Sequence, residues 1–192
     1  MSKTQPIREI REIEDLKKFF LMRGEIRNYA MIVMGLNTSL RISDILSLRW
    51  QDVYNFKSNI YRQHIDIIER KTQKATIIAI NEAVIEALNM YKSTLTEYGP
   101  ELYIFKSRTG DNRPITRNRA FNIIKDANKK LGIEGNIACH SLRKTFGYQA
   151  WKRGVQPALL MSIYNHSSYE ITKRYLGISQ DERDGVFMEI KL

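Results

Sequence analysis

Cysteine, proline and histidine are all scarce in this chain of 192 residues, with one, four and three copies respectively. The single cysteine, Cys139, excludes a disulfide within the chain and is typical of a reducing compartment. No apolar run approaches the roughly 20 residues that a membrane span needs. The first residues do not resemble a signal peptide either. We therefore predict a cytoplasmic protein that does not contact a membrane.

What the chain does contain is enough apolar material for a sizeable core. Hydrophobic residues make up 43% of the sequence and aromatic residues 10%, which excludes a disordered tail. The length fits one domain, and we find no internal repeat, low-complexity tract or interdomain linker. We therefore predict a single domain over residues 1–192.

Positive charge is in excess and is unevenly spread. The chain carries 31 Lys and Arg against 21 Asp and Glu, a net charge of +10. Residues 101–153 hold 12 of the basic and 4 of the acidic residues, so 8 of the 10 net charges lie there. Such a concentration favours a polyanionic partner, although a solvated basic face without a partner would have the same composition.

The apolar spacing predicts an α+β protein, mostly helical with one small antiparallel hairpin. Strands are expected at His64–Ile68 and 75–80, joined by a turn at 70–74. Helices are expected at about 15–23, 25–36, 43–48 with Ser43 as N-cap, 81–97, 116–131, 140–153, 156–164 and 168–176. The helix over 116–131 places four basic residues opposite its apolar face: Arg117, Lys125, Lys129 and Lys130.

Several residues of types that are common in active sites stand at spacings that can bring their side chains together. His140 and Arg143 are three apart and share a helix face, although such a pair is common without function. His166 and Tyr175 would lie on opposite faces of one unbroken helix. Ser167-x-x-Glu170, however, is a capping-box pattern that would start a new helix after His166 and let the two side chains converge.

Taken together, these segments resemble the catalytic domain of a tyrosine recombinase of the phage integrase family. The resemblance covers roughly residues 25–178. It is carried by GLNTSLRISDILSLRWQD at 35–52, by Lys71-Thr72 in the hairpin, by His140-Ser-Leu-Arg143, and by Asn165-His166-Ser-Ser with Tyr175 nine residues after the histidine. Tyr164-Asn165-His166 departs from the family's more usual Leu-Gly-His.

The resemblance implies a role for each matching residue. Arg41 and Arg143 would hold the nonbridging oxygens of the scissile phosphate, and His166 would add a third donor. Tyr175 would be the nucleophile that forms a 3′-phosphotyrosyl link. Lys71 would be the general acid for the departing 5′ oxygen, with Lys74 as a second lysine in the hairpin and a contact to DNA. His140 would assist proton transfer, and Asp44 would brace the site of Arg41.

The resemblance also implies partners and an organisation. It divides the chain into a helical lead-in at 1–24, a catalytic core at 25–178 and a tail at 179–192, without a separate N-terminal core-binding domain. The expected partners are double-stranded DNA, further copies of the chain as a tetramer on DNA, and accessory DNA-bending proteins. Bound to DNA, the protein would be associated with the nucleoid. The family needs neither a metal ion nor another cofactor for strand exchange.

Two other functions are compatible with the same residues. A type IB topoisomerase shares the chemistry but acts on one duplex. A DNA-binding regulator could keep the fold and the basic face without catalysis. The tail also leaves two options open, because Val186, Phe187, Met188 and Ile190 could dock within the chain or on a neighbouring protomer.

Overall fold

The computed structural model describes residues 4–69 and 73–190. Within those residues it contains ten α-helices and four short β-strands, which confirms the mostly helical α+β prediction. The helices are α1 (Ile10–Met22), α2 (Ile26–Thr38), α3 (Ile42–Ile45), α4 (Trp50–Val53), α5 (Glu82–Lys92), α6 (Arg117–Leu131), α7 (Cys139–Lys152), α8 (Pro157–Tyr164), α9 (Tyr169–Leu176) and α10 (Ile178–Glu189). No helix of this described part is long and apolar enough to cross a membrane.

The strands form two separate antiparallel pairs. β1 (Tyr54–Asn55) pairs with β2 (Ile60–Tyr61), a hairpin that the apolar pattern did not predict because each strand is only two residues long. β3 (His64–Ile68) pairs with β4 (Ala75–Ala79), so that His64 faces Ala79 and Ile68 faces Ala75. This second hairpin confirms the predicted strands.

Three helix ends are formed by residue types that commonly cap helices. Thr116 caps α6 by accepting a hydrogen bond from the Arg119 backbone amide at 3.1 Å. Gly132 and Gly177 end α6 and α9 in the left-handed conformation, with φ of 65° and 85°. These positions favour glycine because it has no Cβ.

Other boundaries differ from the predictions. α1 begins at Ile10 rather than near residue 15, and α5 ends at Lys92 rather than near residue 97. The N-cap of α3 is Arg41 and not Ser43, because the Arg41 carbonyl already accepts from the amides of residues 44 and 45. Ser168, not Ser167, caps α9 by accepting from the Ile171 amide.

The buried apolar residues form two clusters of unequal size. The main cluster joins α1 to α7 and includes Leu16, Phe20, Met34, Trp50 and Leu142. The small cluster consists of Tyr148, Tyr164, Leu176 and Ile178, with Trp151, Ile163 and Tyr175 packed against it. α7 contributes to both clusters and therefore connects them.

Two glycines permit the close approaches that α7 makes. A Cβ on Gly35 of α2 would lie 2.6 Å from Leu142 Cδ1. A Cβ on Gly147 of α7 would lie 2.5 Å from Tyr164 Oη and 2.7 Å from Leu176 Cδ2. The missing side chains thus let α7 contact α2 on one side and the segments of the small cluster on the other.

Candidate active site

Arg41 lies in the short connection between α2 and α3. α2 ends at Ser39, which has a left-handed φ of 57°, and Arg41 follows in an extended conformation. This turn directs the Arg41 guanidinium toward the end of β3, where its Nη1 lies 2.6 Å from Glu69 Oε2. The Arg41 side chain is 16% exposed, so the guanidinium is mostly enclosed but still reachable.

Arg143 is held even more firmly, one turn into α7. Its side chain is buried, and its Nη1 donates a short hydrogen bond to the carbonyl of Ser39. Its guanidinium lies 4.9 Å from the centre of the Tyr164 ring, a cation–π distance. The bond to Ser39 connects Arg143 to the turn that carries Arg41, and this contact brings the two arginines to one site.

His166 follows α8 directly and faces Tyr175. Asn165 ends the helix with a left-handed φ of 54°. The His166 ring then lies edge-on to Tyr175, with 5.2 Å between ring centres. Its Nδ1 is 3.1 Å from Thr172 Oγ1, a hydroxyl that donates to the Ser168 carbonyl. Burial, followed by the charges of Arg143 and Arg41, lowers the pKa of His166.

Tyr175 lies in the last turn of α9, next to Leu176 of the small cluster. Its half-buried ring is 5.4 Å from the Tyr164 ring, and Lys144 Nζ is 5.0 Å from its centre. Burial raises the pKa of Tyr175, whereas Arg143 and Arg41 act in the opposite direction. The phenol is therefore protonated in the free protein, and an attack on phosphorus requires a group that accepts its proton.

His140 is near the N-terminus of α7, one turn before Arg143. Its side chain reaches solvent, yet desolvation by its neighbours lowers its pKa, and Arg117, Lys144, Arg143 and Arg41 lower it further. A neutral imidazole of this kind can accept a proton near pH 7. The adjacent Cys139 is different, because burial raises the pKa of its thiol to about 11 and leaves it unreactive.

Lys71, the predicted general acid, lies outside the described residues. The base of the loop that joins β3 to β4 is described, and the Glu69 amide donates to the Lys74 carbonyl at 2.9 Å. Lys74 Nζ in turn donates to Asn165 Oδ1 at 2.7 Å. The base of this loop thus reaches from Arg41, through Glu69, to the residue before His166.

Asp44 is completely buried beneath Arg41. Its backbone amide donates to the Arg41 carbonyl at 2.9 Å, and its own carbonyl accepts from Ser47 Oγ at 2.8 Å. This position fits the predicted brace, which stays a prediction.

The predicted DNA contacts of α6 do not share a single face. Arg117 lies toward the active site, where its charge reaches His140. Lys130 instead turns toward α1, with Nζ 5.9 Å from the centre of the Phe19 ring. Lys125 and Lys129 are exposed and lie between Arg117 and Lys130 along the helix. Each residue of a helix is rotated by about 100° from the one before it. The three lysines therefore point in different directions from Arg117, and the four side chains spread around the exposed half of the helix.

Sequence reasoning missed four residues that shape this site: Glu69, Lys144, Tyr164 and Thr172. Their signals are weak, because an acidic residue at the end of a strand or a tyrosine before a histidine is common in any chain. Only the packing of α7 against α8 and α9 reveals that Tyr164 supports Arg143 and that Thr172 orients His166. Tyr164 also donates its hydroxyl to the Arg143 carbonyl at 2.7 Å.

The buried Arg143, the mostly enclosed Arg41, a histidine and a tyrosine therefore converge at the junction of α2, α7, α8 and α9. Within residues 4–69 and 73–190, no three His, Cys, Asp or Glu side chains converge as ligands of a metal ion would. Cationic donors beside a tyrosine hydroxyl are the arrangement that phosphoryl transfer to a tyrosine would need. Together with the largely helical fold, this arrangement is the one expected of a tyrosine-recombinase catalytic domain.

Comparison with known proteins gives the family. The model of the Phage integrase family matches residues 9–182, and the chain belongs to this family. A probable integrase/recombinase of Bacillus subtilis, YoeC, is 39% identical over 178 residues, which are 92% of this chain and 91% of that protein. The fimbriae regulatory protein FimE of Escherichia coli K12 is 27% identical over 152 residues, 78% of this chain and 73% of FimE.

Longer relatives are matched over only part of their length. The tyrosine recombinase XerA of Pyrococcus horikoshii is 21% identical over 166 residues, which are 86% of this chain and 55% of that protein. A crystal structure of a XerA recombinase superposes with a TM-score of 0.71 at 20% identity, over 100% of this chain and 66% of that one. The Tn1549 transposon integrase, solved with a circular-intermediate DNA, gives 0.69 at 21% identity, over 95% and 67%. At this identity the two structures support the fold alone.

Proposed function

We propose that this protein cleaves and rejoins DNA strands at specific sites through a 3′-phosphotyrosyl intermediate. The observation that carries the proposal is the convergence of Arg41, Arg143 and His166 around the hydroxyl-bearing ring of Tyr175. A scissile phosphate placed among these groups would meet donors for its nonbridging oxygens and a nucleophile for its phosphorus.

Each group has one task in the proposed reaction. Tyr175 Oη attacks phosphorus and the bond from phosphorus to the 5′ oxygen breaks, so the phosphate stays bonded to the 3′ oxygen and becomes bonded to tyrosine. His140 accepts the phenolic proton, which suits a neutral imidazole. Lys71 gives a proton to the departing 5′ oxygen. The reverse sequence, with a 5′ hydroxyl as nucleophile, rejoins the strand without an external energy source.

The cationic groups stabilise the additional negative charge of the pentavalent transition state. Arg41 and Arg143 are already fixed in position by the α2–α3 turn and by Ser39, so they need little reorganisation when the charge develops. His166 would donate from Nε2, because its Nδ1 faces the Thr172 hydroxyl. That donation requires a protonated ring, which the negative charge of a bound phosphate favours.

Double-stranded DNA is the proposed partner, and the basic excess over residues 101–153 is the proposed contact surface. Arg117 and Lys74 border the active site, whereas Lys125, Lys129 and Lys130 extend the positive surface along α6. Cations in such positions neutralise phosphates and add affinity without reading the sequence.

We further propose that the end of α10 docks on a neighbouring protomer in a tetramer assembled on DNA. The start of α10 is held within the chain, since Ile178 is buried and Asp181 forms an ion pair with Arg8 at 2.8 Å. Its end is different, because Phe187 and Met188 are 81% and 77% exposed. Phe187→Glu should therefore reduce assembly on DNA, measured by sedimentation, without reducing binding of one protomer to one site.

The decisive test of the strand-cleavage proposal is capture of covalent protein–DNA adducts in cells, followed by sequencing of the attached strand. Wild type should form adducts at discrete sites, and Tyr175→Phe should form none, because the nucleophilic oxygen is lost. Tyr169→Phe is the matched control, since it removes the same atom from the same helix at a residue outside the site.

The other outcomes lead to different functions. Tight DNA binding without adducts in any variant would favour the DNA-binding regulator. Adducts together with plasmid relaxation, and without recombinant products, would favour a topoisomerase of type IB. Adducts that persist in Tyr175→Phe would show that another residue is the nucleophile.

A further inference from the structure

Glu69 places a carboxylate between the two catalytic arginines. Its Oε2 lies 2.6 Å from Arg41 Nη1, and its Oε1 lies 3.7 Å from Arg143 Nη1. The Glu69 side chain is 7% exposed, so the group lies inside the site and not at its rim. Each carboxylate oxygen thus faces one guanidinium, which is the arrangement that the two nonbridging oxygens of a phosphodiester require.

The electrostatics of the DNA-free site explain such a group. Two guanidinium groups enclosed by protein repel each other and have lost much of their hydration. A carboxylate between them offsets both effects and keeps the arginines ordered. The resulting site has a lower net positive charge than its arginines suggest.

The same carboxylate is unfavourable once DNA binds. A phosphodiester carries one negative charge, and the transition state of its displacement carries more. A phosphate and the Glu69 carboxylate at the same donors would repel each other at short range. The phosphate can therefore occupy the arginines fully only after the carboxylate has left.

The location of Glu69 makes such a departure feasible. It follows β3 directly, at the start of the loop that joins β3 to β4, where its carbonyl accepts from the Gln73 amide at 2.8 Å. The hairpin pairs only with itself in the part of the chain that the structure describes. A shift at this end of the hairpin can thus carry Glu69 away from the arginines without breaking a larger sheet.

We propose that Glu69 is a positioning residue that occupies the place of the scissile phosphate in the DNA-free protein and is displaced by it. This inference rests on the proposed function, because it takes Arg41 and Arg143 as the phosphate-binding groups. It assigns to Glu69 a competition with phosphate for those groups and no part in the chemical step.

The test measures the affinity of the DNA-free protein for inorganic phosphate, by ³¹P NMR titration, in wild type and Glu69→Gln. The amide keeps the shape but removes the competing charge. We expect the affinity to rise by at least about tenfold, because juxtaposed like charges weaken association by more than that factor. Asp66→Asn is the matched control, since Asp66 is an exposed residue of β3 and the change in net charge is identical.

Glu69→Asp extends the test to a variant that keeps the charge. The shorter side chain withdraws the carboxylate from Arg143, so its phosphate affinity should lie between those of wild type and Glu69→Gln. Thermal unfolding of each variant identifies any that does not fold. The inference is wrong if Glu69→Gln and Asp66→Asn have the same phosphate affinity. It is also wrong if Glu69→Gln does not fold and Glu69→Asp has the phosphate affinity of wild type.

A second readout separates positioning from catalysis. With DNA of a captured site, Glu69→Gln should need a lower DNA concentration for half-maximal adduct formation than wild type or Asp66→Asn. A changed saturating rate with an unchanged half-maximal concentration would contradict the inference. Adducts in wild type without a gain in phosphate affinity overturn only the inference, whereas a gain without adducts overturns only the proposed strand cleavage.

Discussion

The two sides of the candidate site are supported by very different amounts of buried structure. Arg41 follows α2 of the main cluster, which spans α1 to α7 and contains the largest buried side chains. Arg143 follows Leu142 of the same cluster, and its guanidinium also contacts Tyr164. His166 and Tyr175 rest on the small cluster, whose buried members are Tyr148, Tyr164, Leu176 and Ile178. The arginines proposed to bind phosphate are therefore fixed mainly by the larger cluster, whereas the proposed nucleophile belongs to a segment that can open or move at lower cost.

This difference suits a strand-exchange reaction. The transition state needs donors that do not reorganise, and the arginine side provides them. The nucleophile, by contrast, must approach phosphorus only when cleavage is required. A tyrosine on a lightly packed helix can be withdrawn without unfolding the rest of the protein.

The largest loss of adduct formation should come from replacing an arginine of the site. Arg143→Ala removes a preorganised donor, and we expect adduct formation to fall by about 10²–10³, the loss seen for one oxyanion donor. DNA affinity should change far less, because many other cations contribute to it. Arg153→Ala, an exposed arginine after the same helix, is the control. Equal losses of binding and cleavage in Arg143→Ala would remove the residue from its assigned role.

Replacing Gly35 or Gly147 with alanine compares the two clusters directly. Gly147→Ala drives a Cβ into Tyr164 and Leu176, so it should displace α8 and α9 and reduce adduct formation strongly. Gly35→Ala places its Cβ 2.6 Å from Leu142 Cδ1 and 3.1 Å from Leu142 Cβ, and none of its three nearest atoms belongs to α8 or α9. It should mainly lower the free energy of unfolding, within the roughly 1–3 kcal/mol typical of overpacking. Thermal unfolding and adduct capture on both variants check this. Losses of activity proportional to losses of stability in both variants would refute the difference between the regions.

The pH dependence of stability should be moderate and should involve both sides, through His140 and His166. The pKa of each is lowered in the folded protein, so the unfolded chain binds more protons. The free energy of unfolding should therefore fall as pH drops through the ordinary histidine value of about 6.5. His166→Gln should weaken this dependence between pH 7.5 and 5.5, whereas His64→Gln, at an exposed position of β3, should not. Identical pH profiles for the two variants would contradict the assigned environment of His166.

The smallest effect should come from lysines of α6 that lie outside the candidate site, and it should be on DNA affinity. The double variant Lys129→Gln and Lys130→Gln should flatten the dependence of DNA affinity on salt by about 0.9 in the log–log slope for each lysine that contacts a phosphate. Adduct formation on saturating DNA should stay unchanged. Lys18→Gln with Lys57→Gln provides an equal loss of exposed charge elsewhere. An unchanged slope would exclude this end of α6 from the DNA contact.

Local sequence patterns were sufficient for much of the fold. The alternating strand His64–Ile68 and the capped helix α6 were predictable, because a period of two or of 3.6 residues with a terminal cap specifies them locally. The β1–β2 hairpin and α4 were not, since elements of two to four residues carry too little periodicity. The start of α3 was also misplaced, because its N-cap is set by the Arg41 carbonyl and not by a serine side chain.

The sequence by itself determined the family, the mostly helical class and the residues that we propose for phosphoryl transfer, because these depend on residue type and order along the chain. Only the tertiary structure decided how they meet. Arg143 reaches Arg41 through the Ser39 carbonyl, His166 is oriented by Thr172, and Tyr175 rests on Tyr164. Above all, the carboxylate of Glu69 between the arginines could not be read from spacing, because its effect arises from distances and burial among residues far apart in the chain.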